Sequence, residues 1–222
     1  MRKLLMPLTT VVILMVVQAG ASVVTSIPGG TVIPIPAIDC SAPLFACFGP
    51  GPFTFGPGVT WKSTNAFNNA GSVFGFTAAF SFGGNGIWTG ALGPMAGLND
   101  STDRYGSTDT MTFTFTTPVS AVGGFLNYEP GGSTPTTIAV HDAHGNLIES
   151  PFNLTFSTGG NDHGFFFGFK ESGPIIKSFT LTDNFIGITN LTTAAIPEPS
   201  SLLLITSGLL GVIGFSRRRL GL

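Results

Sequence analysis

The chain has 222 residues, is 43% hydrophobic and 9% charged, and carries a formal charge of −2 at pH 7. Five of its nine basic residues lie at the two ends, so residues 22–196 hold four basic and ten acidic side chains, a net charge of −6. An acidic region without a basic patch argues against nucleic acid as a partner. Binding of an acidic polysaccharide would require a bridging cation.

The first residues are typical of an export signal. Two basic residues, Arg2 and Lys3, precede an apolar run over residues 4–17 and a small-residue sequence, Ala-Gly-Ala, that ends at residue 21. This arrangement predicts a signal peptide over residues 1–21. Signal peptidase would release a mature chain that begins near Ser22.

Residues 22–58 are rich in proline and glycine, which excludes helix there. This segment also holds the two cysteines of the chain, Cys40 and Cys47. Export to an oxidising compartment and their short separation predict a local disulfide. Metal binding by these cysteines would need further soft ligands nearby, and a reactive thiol would need a histidine partner.

Residues 59–194 contain short runs that alternate between apolar and polar residues, separated by turn residues. Met111, Phe113 and Phe115 alternate with threonines, and Gly145 closes a predicted hairpin turn that begins at Asp142. Before the C-terminal tail no stretch has the 3.6-residue period of a helix. We therefore predict an all-β chain with one antiparallel β-sandwich of jelly-roll type over residues 59–194.

Phenylalanine, with 21 residues, is the most obvious source of a core between the two sheets. Seven phenylalanines lie on the predicted strands and should fill that core: Phe113, Phe115, Phe125, Phe165, Phe167, Phe169 and Phe179. Strand alternation sends Phe166 to the face opposite its neighbours. We expect it either beneath a loop or on an exposed binding face.

Two sets of side chains are candidates for ligand binding. Asp100, Asp103 and Asp109 form the densest cluster of oxygen ligands, of the kind that calcium prefers, and a solvated turn-rich loop is the simpler interpretation of the same residues. Trp88 follows a glycine-rich stretch and is the aromatic side chain best placed for stacking on a sugar ring. The alternative for Trp88 is packing in the interior.

Catalytic motifs are missing from the sequence. It contains no nucleophile elbow, zinc-protease motif or phosphate-binding loop, and its scattered acids define no catalytic pair. We expect a protein that is not an enzyme, with a secreted glycan-active enzyme as the alternative. The threonine row of Thr112, Thr114 and Thr116 also raises ice binding, for which one row is too little.

The last residues combine three features in a fixed order. Pro197, Glu198 and Pro199 precede an uncharged apolar stretch over about residues 200–215, which Arg217, Arg218 and Arg219 follow. This order resembles the PEP-CTERM sorting signal of Gram-negative bacteria, here over residues 195–222. The resemblance implies a transient transmembrane helix in the inner membrane, with the arginines on the cytoplasmic side, and cleavage near the triplet by an exosortase.

A second resemblance covers about residues 105–193. Its motifs include Ile138-Ala-Val140-His-Asp142, Gly164-Phe-Phe-Phe167-Gly168-Phe169 and Gly187-Ile188-Thr189-Asn190. They resemble the β-sandwich ectodomain common in PEP-CTERM proteins, which is similar to galactose-binding jelly rolls. The pattern often has Asp where this chain has Thr189, so a cation ligand would be lost here. The resemblances together imply an exported surface or extracellular-matrix protein, associated with exopolysaccharide.

Overall fold

The structure is a computed structural model that describes residues 22–42, 45–65, 71–99, 109–131 and 135–195. In these ranges the chain forms fifteen strands and one short 3-10 turn, and every pair of neighbouring strands is antiparallel. The predicted all-β class is therefore confirmed. The predicted signal peptide and the apolar stretch near the C-terminus lie outside the described residues, within which no helix is long and apolar enough to cross a membrane.

Two large sheets form a sandwich. The first sheet contains, in spatial order, β1 (Ser22–Val24), β13 (Phe165–Lys170), β10 (Ala121–Tyr128), β15 (Phe185–Ala194), β8 (Met95–Asn99) and β5 (Ser72–Phe76), with β2 (Thr31–Val32) also paired to β15. The second contains β12 (Phe152–Asn153), β11 (Thr137–His141), β14 (Ile176–Thr182), β9 (Thr110–Val119), β4 (Val59–Ser63) and β3 (Phe53–Phe55). The proline- and glycine-rich segment thus supplies strands to both sheets.

A third, smaller layer lies against the first sheet. It consists of β6 (Phe80–Ser81) and β7 (Ile87–Trp88), which flank the 3-10 turn Gly83–Asn85. Gly187 of β15 lies beneath this layer, where a side-chain carbon would come within 2.8 Å of the ring of Phe82. A glycine in β15 therefore allows the layer to pack closely on the sheet.

The main core lies between the two sheets. It contains Trp61 of β4, Phe113 of β9, Phe179 of β14, and Leu126 and Ile188 of the first sheet, all fully buried. Inward-facing residues alternate with outward threonines along β9, as the sequence predicts. Because both sheets contribute their inner faces, the core follows directly from the period of two in these strands.

The second core lies on the opposite face of the first sheet, beneath the β6–β7 layer. Phe82, Trp88, Met95 and Val73 are its buried members, and Phe125 packs against them. Phe125 was predicted to lie between the sheets, and this prediction is wrong: its neighbour Leu126 takes the inward position.

The structure also tests the other predicted core phenylalanines and the predicted hairpin turn. Phe165 is 49% exposed and is not a core residue, whereas Phe169 is buried as predicted. After the predicted turn, Leu147 pairs with His141 in an isolated bridge. The hairpin turn is confirmed, because the N–H of Gly145 donates to the carbonyl of Asp142 and Gly145 has a positive φ of 82°.

Candidate functional site

A cavity of about 290 Å³ opens at the end of the sandwich where β8 and β10 finish and β15 begins. It is the candidate binding site. Apolar and polar side chains line it together: Phe48, Val73, Phe76, Ala79, Phe80, Ser81, Asn99, Glu129 and Phe185. Concave sites with an apolar surface and a few convergent polar groups are typical of small-molecule binding.

The apolar part of the cavity continues the second core. Val73 and Phe80 are buried, whereas Phe48, Phe76 and Phe185 are partly exposed. The ring of Phe76 lies 6.1 Å from that of Phe48 and 6.1 Å from that of Phe80, and these two pairs are tilted and edge-to-face. Such contacts hold the rings in place without a ligand.

Glu129 supplies the carboxylate of the cavity. Its backbone N–H donates to the carbonyl of Phe185 at 2.9 Å, which fixes the residue at the end of β10. The side chain lies against Gly83, where an added side-chain carbon would overlap Glu129 Oε1. Gly83 has a φ of 53°, so the 3-10 turn and the carboxylate fit together only with glycine there.

A second acidic group, Asp183, lies near Glu129 but does not line the cavity. It is 3% exposed, and it accepts hydrogen bonds from the hydroxyl of Thr136 and, at 2.6 Å, from the N–H of Asn184. Burial raises the pKa of Asp183 to about 6 against the lowering effect of these hydrogen bonds, and the Glu129 carboxylate adds to the rise. The end of the sandwich is therefore electronegative.

Trp88, predicted as a stacking platform, is buried in the second core at 2% exposure. Its indole N–H donates to the carbonyl of His163 at 2.6 Å, and its ring stacks on Phe125 with centroids 6.0 Å apart. The expectation of an exposed sugar-stacking ring is therefore corrected. The N–H at the edge of the ring forms a hydrogen bond to a backbone carbonyl, and the faces of the ring pack in the second core.

Asp109, the described member of the predicted calcium cluster, accepts hydrogen bonds from the hydroxyl of Thr64 at 3.1 Å and from the amide of Asn65 at 2.7 Å. Asp100 and Asp103 lie outside the described residues. Within the described ranges no group of three or more His, Cys, Asp or Glu side chains could hold a metal ion. Calcium binding by the loop stays a prediction.

The disulfide between Cys40 and Cys47 is present, with an S–S distance of 2.04 Å, as the sequence predicts. It fixes a loop beside β5: the Phe74 N–H donates to the carbonyl of Cys47 at 2.8 Å, and the Ile38 N–H donates to that of Gly75 at 2.9 Å. Phe48 follows this loop directly. The disulfide thus constrains one aromatic wall of the cavity.

The outer face of the second sheet is a hydroxyl-bearing surface, which we call the threonine face. It carries outward side chains of β3, β4, β9, β14 and β11: Thr54, Thr60, Thr110, Thr112, Thr114, Thr116, Thr137, Ser178, Thr180 and Thr182. Strand register places Thr112 beside Thr180, with their hydroxyl oxygens 3.3 Å apart. The six strands of this sheet contain no Asp or Glu.

Sequence reasoning named Thr112, Thr114 and Thr116 of this face and missed the cavity. The lining comes from β5, β6, β8, β10, β15 and the disulfide loop, which are distant along the chain. One signal was available: β10 and β15 lack polar alternation and contain glycines, a pattern of strands buried on both faces. It indicates a further layer and hence a second interior.

Thr189 departs from the aspartate of the resembling pattern and has a structural role here. It is buried on the second-core side of β15, and its hydroxyl donates to the carbonyl of Pro94 at 3.1 Å. This bond attaches the chain before β8 to the sheet.

Residues 195–219 match the family model described as the PEP-CTERM protein-sorting motif. The chain therefore carries this sorting motif at its C-terminus, joined to a β-sandwich-like all-β fold. Searches of curated proteins and of solved structures found no significant match. The motif indicates an exported protein that passes through the membrane for exosortase-dependent sorting.

Proposed function

We propose that this exported protein is a non-catalytic component of the cell surface or extracellular matrix that associates with extracellular polysaccharide. The cavity lined by Phe76, Glu129 and Asn99 is the observation that carries the proposal. Aromatic and amide or carboxylate side chains in one concave site suit a ring with an apolar face and hydroxyl edges. We also propose that the sandwich is of the jelly-roll type.

The alternative of a glycan-active enzyme requires two carboxyl groups that flank the bond to be cut. Among the described residues Glu129 is the carboxylate that lines the cavity, and Asp183 is buried behind it in hydrogen bonds to Thr136 and Asn184. This arrangement favours binding over hydrolysis. Release of reducing sugar from a polysaccharide by the purified protein, lost in Glu129→Gln, would contradict the non-catalytic proposal.

The polysaccharide proposal is tested with the protein purified in the form that its host exports. We expect it to sediment with the extracellular polysaccharide of the host and to be released when that polymer is digested enzymatically. Recovery entirely in the soluble fraction at every polymer concentration would contradict the association.

Processing is a separate part of the proposal. Signal peptidase should cut near Ser22, and an exosortase near Pro197 to Pro199, so the inner membrane holds the chain only transiently. Intact-mass analysis of surface material should show both tails removed. A surface form that retains Arg217 to Arg219 would instead indicate a permanent membrane anchor.

Calcium would provide a bridge between this acidic protein and acidic polysaccharide, through Asp100, Asp103 and Asp109. Binding to the folded state should raise the melting temperature by mass action. Thermal melts in calcium and in chelator give the answer, with Asp109→Asn as the variant that should abolish the difference. Superimposable melting curves for the parent protein would remove calcium from the proposal.

Ice binding is a second candidate, and the threonine face is the observation that favours it. Threonines on adjacent strands repeat about every 4.8 Å across the sheet and about every 6.7 Å along it. Because sheets twist, such a match holds only over the central strands β4, β9 and β14. Inhibition of ice recrystallisation should disappear in Thr112→Tyr and persist in Thr31→Tyr on the other sheet. An inactive parent protein would eliminate this candidate.

A further inference from the structure

The cavity has a negative charge and an amphiphilic lining, and these two features select among the sugars of a polysaccharide. We propose that the cavity binds a neutral pyranose residue, with Glu129 and Asn99 on its hydroxyl groups, and that it rejects uronic acids. This inference rests on the polysaccharide association proposed above and names the sugar class of that same site.

The apolar lining gives the cavity a surface for the carbon–hydrogen face of a sugar ring. Phe48, Phe76 and Phe185 remain partly exposed although Val73 and Phe80 beneath them are buried. Contact with a ring would remove exposed aromatic area from water, which is the main favourable term in such binding. A volume of about 290 Å³ is close to the lower limit of ligand sites, about 300 Å³, and suits one sugar ring better than a chain.

The polar lining supplies acceptors and donors for hydroxyl groups. The Glu129 carboxylate accepts hydrogen bonds only, whereas Asn99 has an amide that both donates and accepts. Ser81, at the end of β6, adds a hydroxyl whose oxygen accepts from the Gly83 N–H at 3.3 Å. Hydrogen bonds from hydroxyl groups to a carboxylate are stronger than those between neutral groups.

The charge of the site opposes anionic sugars. No lysine or arginine is among the described residues that line the cavity. Among the described residues, the lysines lie on β4, β13 and β14. The negative charge of Glu129 is already felt by the nearby Asp183, whose pKa it helps to raise. A uronate would bring a further carboxylate into this region, where the described lining residues offer no basic side chain to offset it.

The experiment is affinity electrophoresis of the exported protein in gels that contain dextran, galactomannan, mixed-linkage β-glucan or, as the uronic-acid polymer, alginate. A parallel gel contains the extracellular polysaccharide of the host. We expect retardation by at least one neutral polymer and by the host polymer, and none by alginate in the presence of chelator.

Two pairs of variants locate the binding in the cavity. Glu129→Gln removes the charge. Its control is Glu149→Gln, which lies near Glu171 and so near the opposite end of β10, where the Glu171 N–H donates to the carbonyl of Ser120. Ala79→Trp fills the cavity, and Ala78→Trp places the same side chain at the exposed neighbouring position outside it. We expect Glu129→Gln and Ala79→Trp each to weaken binding about tenfold or more, with the controls unchanged and all four melting temperatures near that of the parent.

The outcomes distinguish failure of the neutral-sugar site from failure of the proposed polysaccharide association. Retention by alginate in chelator, or full affinity in Ala79→Trp, would overturn the neutral-sugar site while binding to the host polymer still supports the proposed function. Failure to bind the host polymer would overturn the proposed function, and failure to bind any of the neutral polymers would overturn the neutral-sugar site. If Ala79→Trp is unstable, Glu129→Gln decides, since its side chain is partly exposed and differs from the parent by one charge.

Discussion

The two apolar cores lie on opposite faces of one sheet and are built by different means. The main core joins two sheets whose inward residues alternate with outward threonines, as Phe113 does in β9. The second core lies between a glycine-containing sheet face and a short two-stranded layer. Strand alternation alone therefore specifies the first, whereas the second depends on particular close contacts.

Polar side chains complete the second core. Asn127 is fully buried, and its amide donates to the carbonyls of Asn85 at 3.1 Å and His163 at 3.2 Å. The Asn85 side chain in turn donates to the carbonyl of Phe156 and accepts from the N–H of Thr158. These bonds hold residues 156–163 against the β6–β7 layer. Buried amides whose hydrogen bonds are all satisfied make such packing specific. Removal of either amide would leave buried backbone groups without a hydrogen-bond partner.

The largest expected effect is in the main core. Phe113→Ala should lower the free energy of unfolding by about 3–5 kcal/mol, because the ring is fully buried and its loss leaves a cavity. Amide exchange should accelerate in both sheets together. Acceleration confined to β9 and its neighbours would show that the main core is not a single cooperative unit.

The second core should respond locally. Trp88→Ala should cost about 3 kcal/mol, the lower end for a buried aromatic, since the site lies on one sheet and a small layer. Faster exchange should be confined to β6, β7 and residues 156–163. Trp61 and Trp88 are both buried, so acrylamide should quench the parent protein weakly. Strong quenching would contradict the burial of both indoles.

At the electronegative end of the sandwich, unlike in the two apolar cores, stability should depend on pH through Asp183. Its folded-state pKa of about 6 lies above the ordinary value of 3.8, so the folded state holds the proton more tightly than the unfolded one. The contribution of Asp183 to the free energy of unfolding should therefore be greatest below about pH 4. It should fall as the pH rises to about 6 and stay low above that pH, and the full decrease is about 3 kcal/mol.

Asp183→Asn removes this titration. Urea unfolding at intervals between pH 4 and 7 should show the stability difference between parent and variant changing with pH in that window. Asp39→Asn, at an exposed carboxylate whose pKa a hydrogen bond from Ser41 lowers, controls for general charge effects. A constant difference across the whole range would mean that Asp183 is already ionised at pH 4.

The smallest expected effect is that of the disulfide. Cys40→Ser together with Cys47→Ser should cost about 2 kcal/mol, because the closed loop is short. Faster exchange should appear at Phe48 and along β5, and leave β9 and β14 unchanged. An equal acceleration in the second sheet would show that the loop supports the whole sandwich.

The sequence by itself determined the features that depend on local order along the chain. The sorting motif is one continuous stretch of sequence, the alternation around Phe113 identifies a half-buried strand, and the proximity of Cys40 to Cys47 predicts their bond. Gly145 likewise marks its turn, because a positive φ is a local requirement.

Tertiary structure decided which face of a strand meets which neighbour. Phe125 and Leu126 are adjacent apolar residues, and only the presence of a layer on each side of β10 assigns them to different cores. Trp88 is buried because residues distant in sequence bring the carbonyl of His163 to its indole. The cavity around Glu129 arises in the same way, from sheet order that no local pattern encodes.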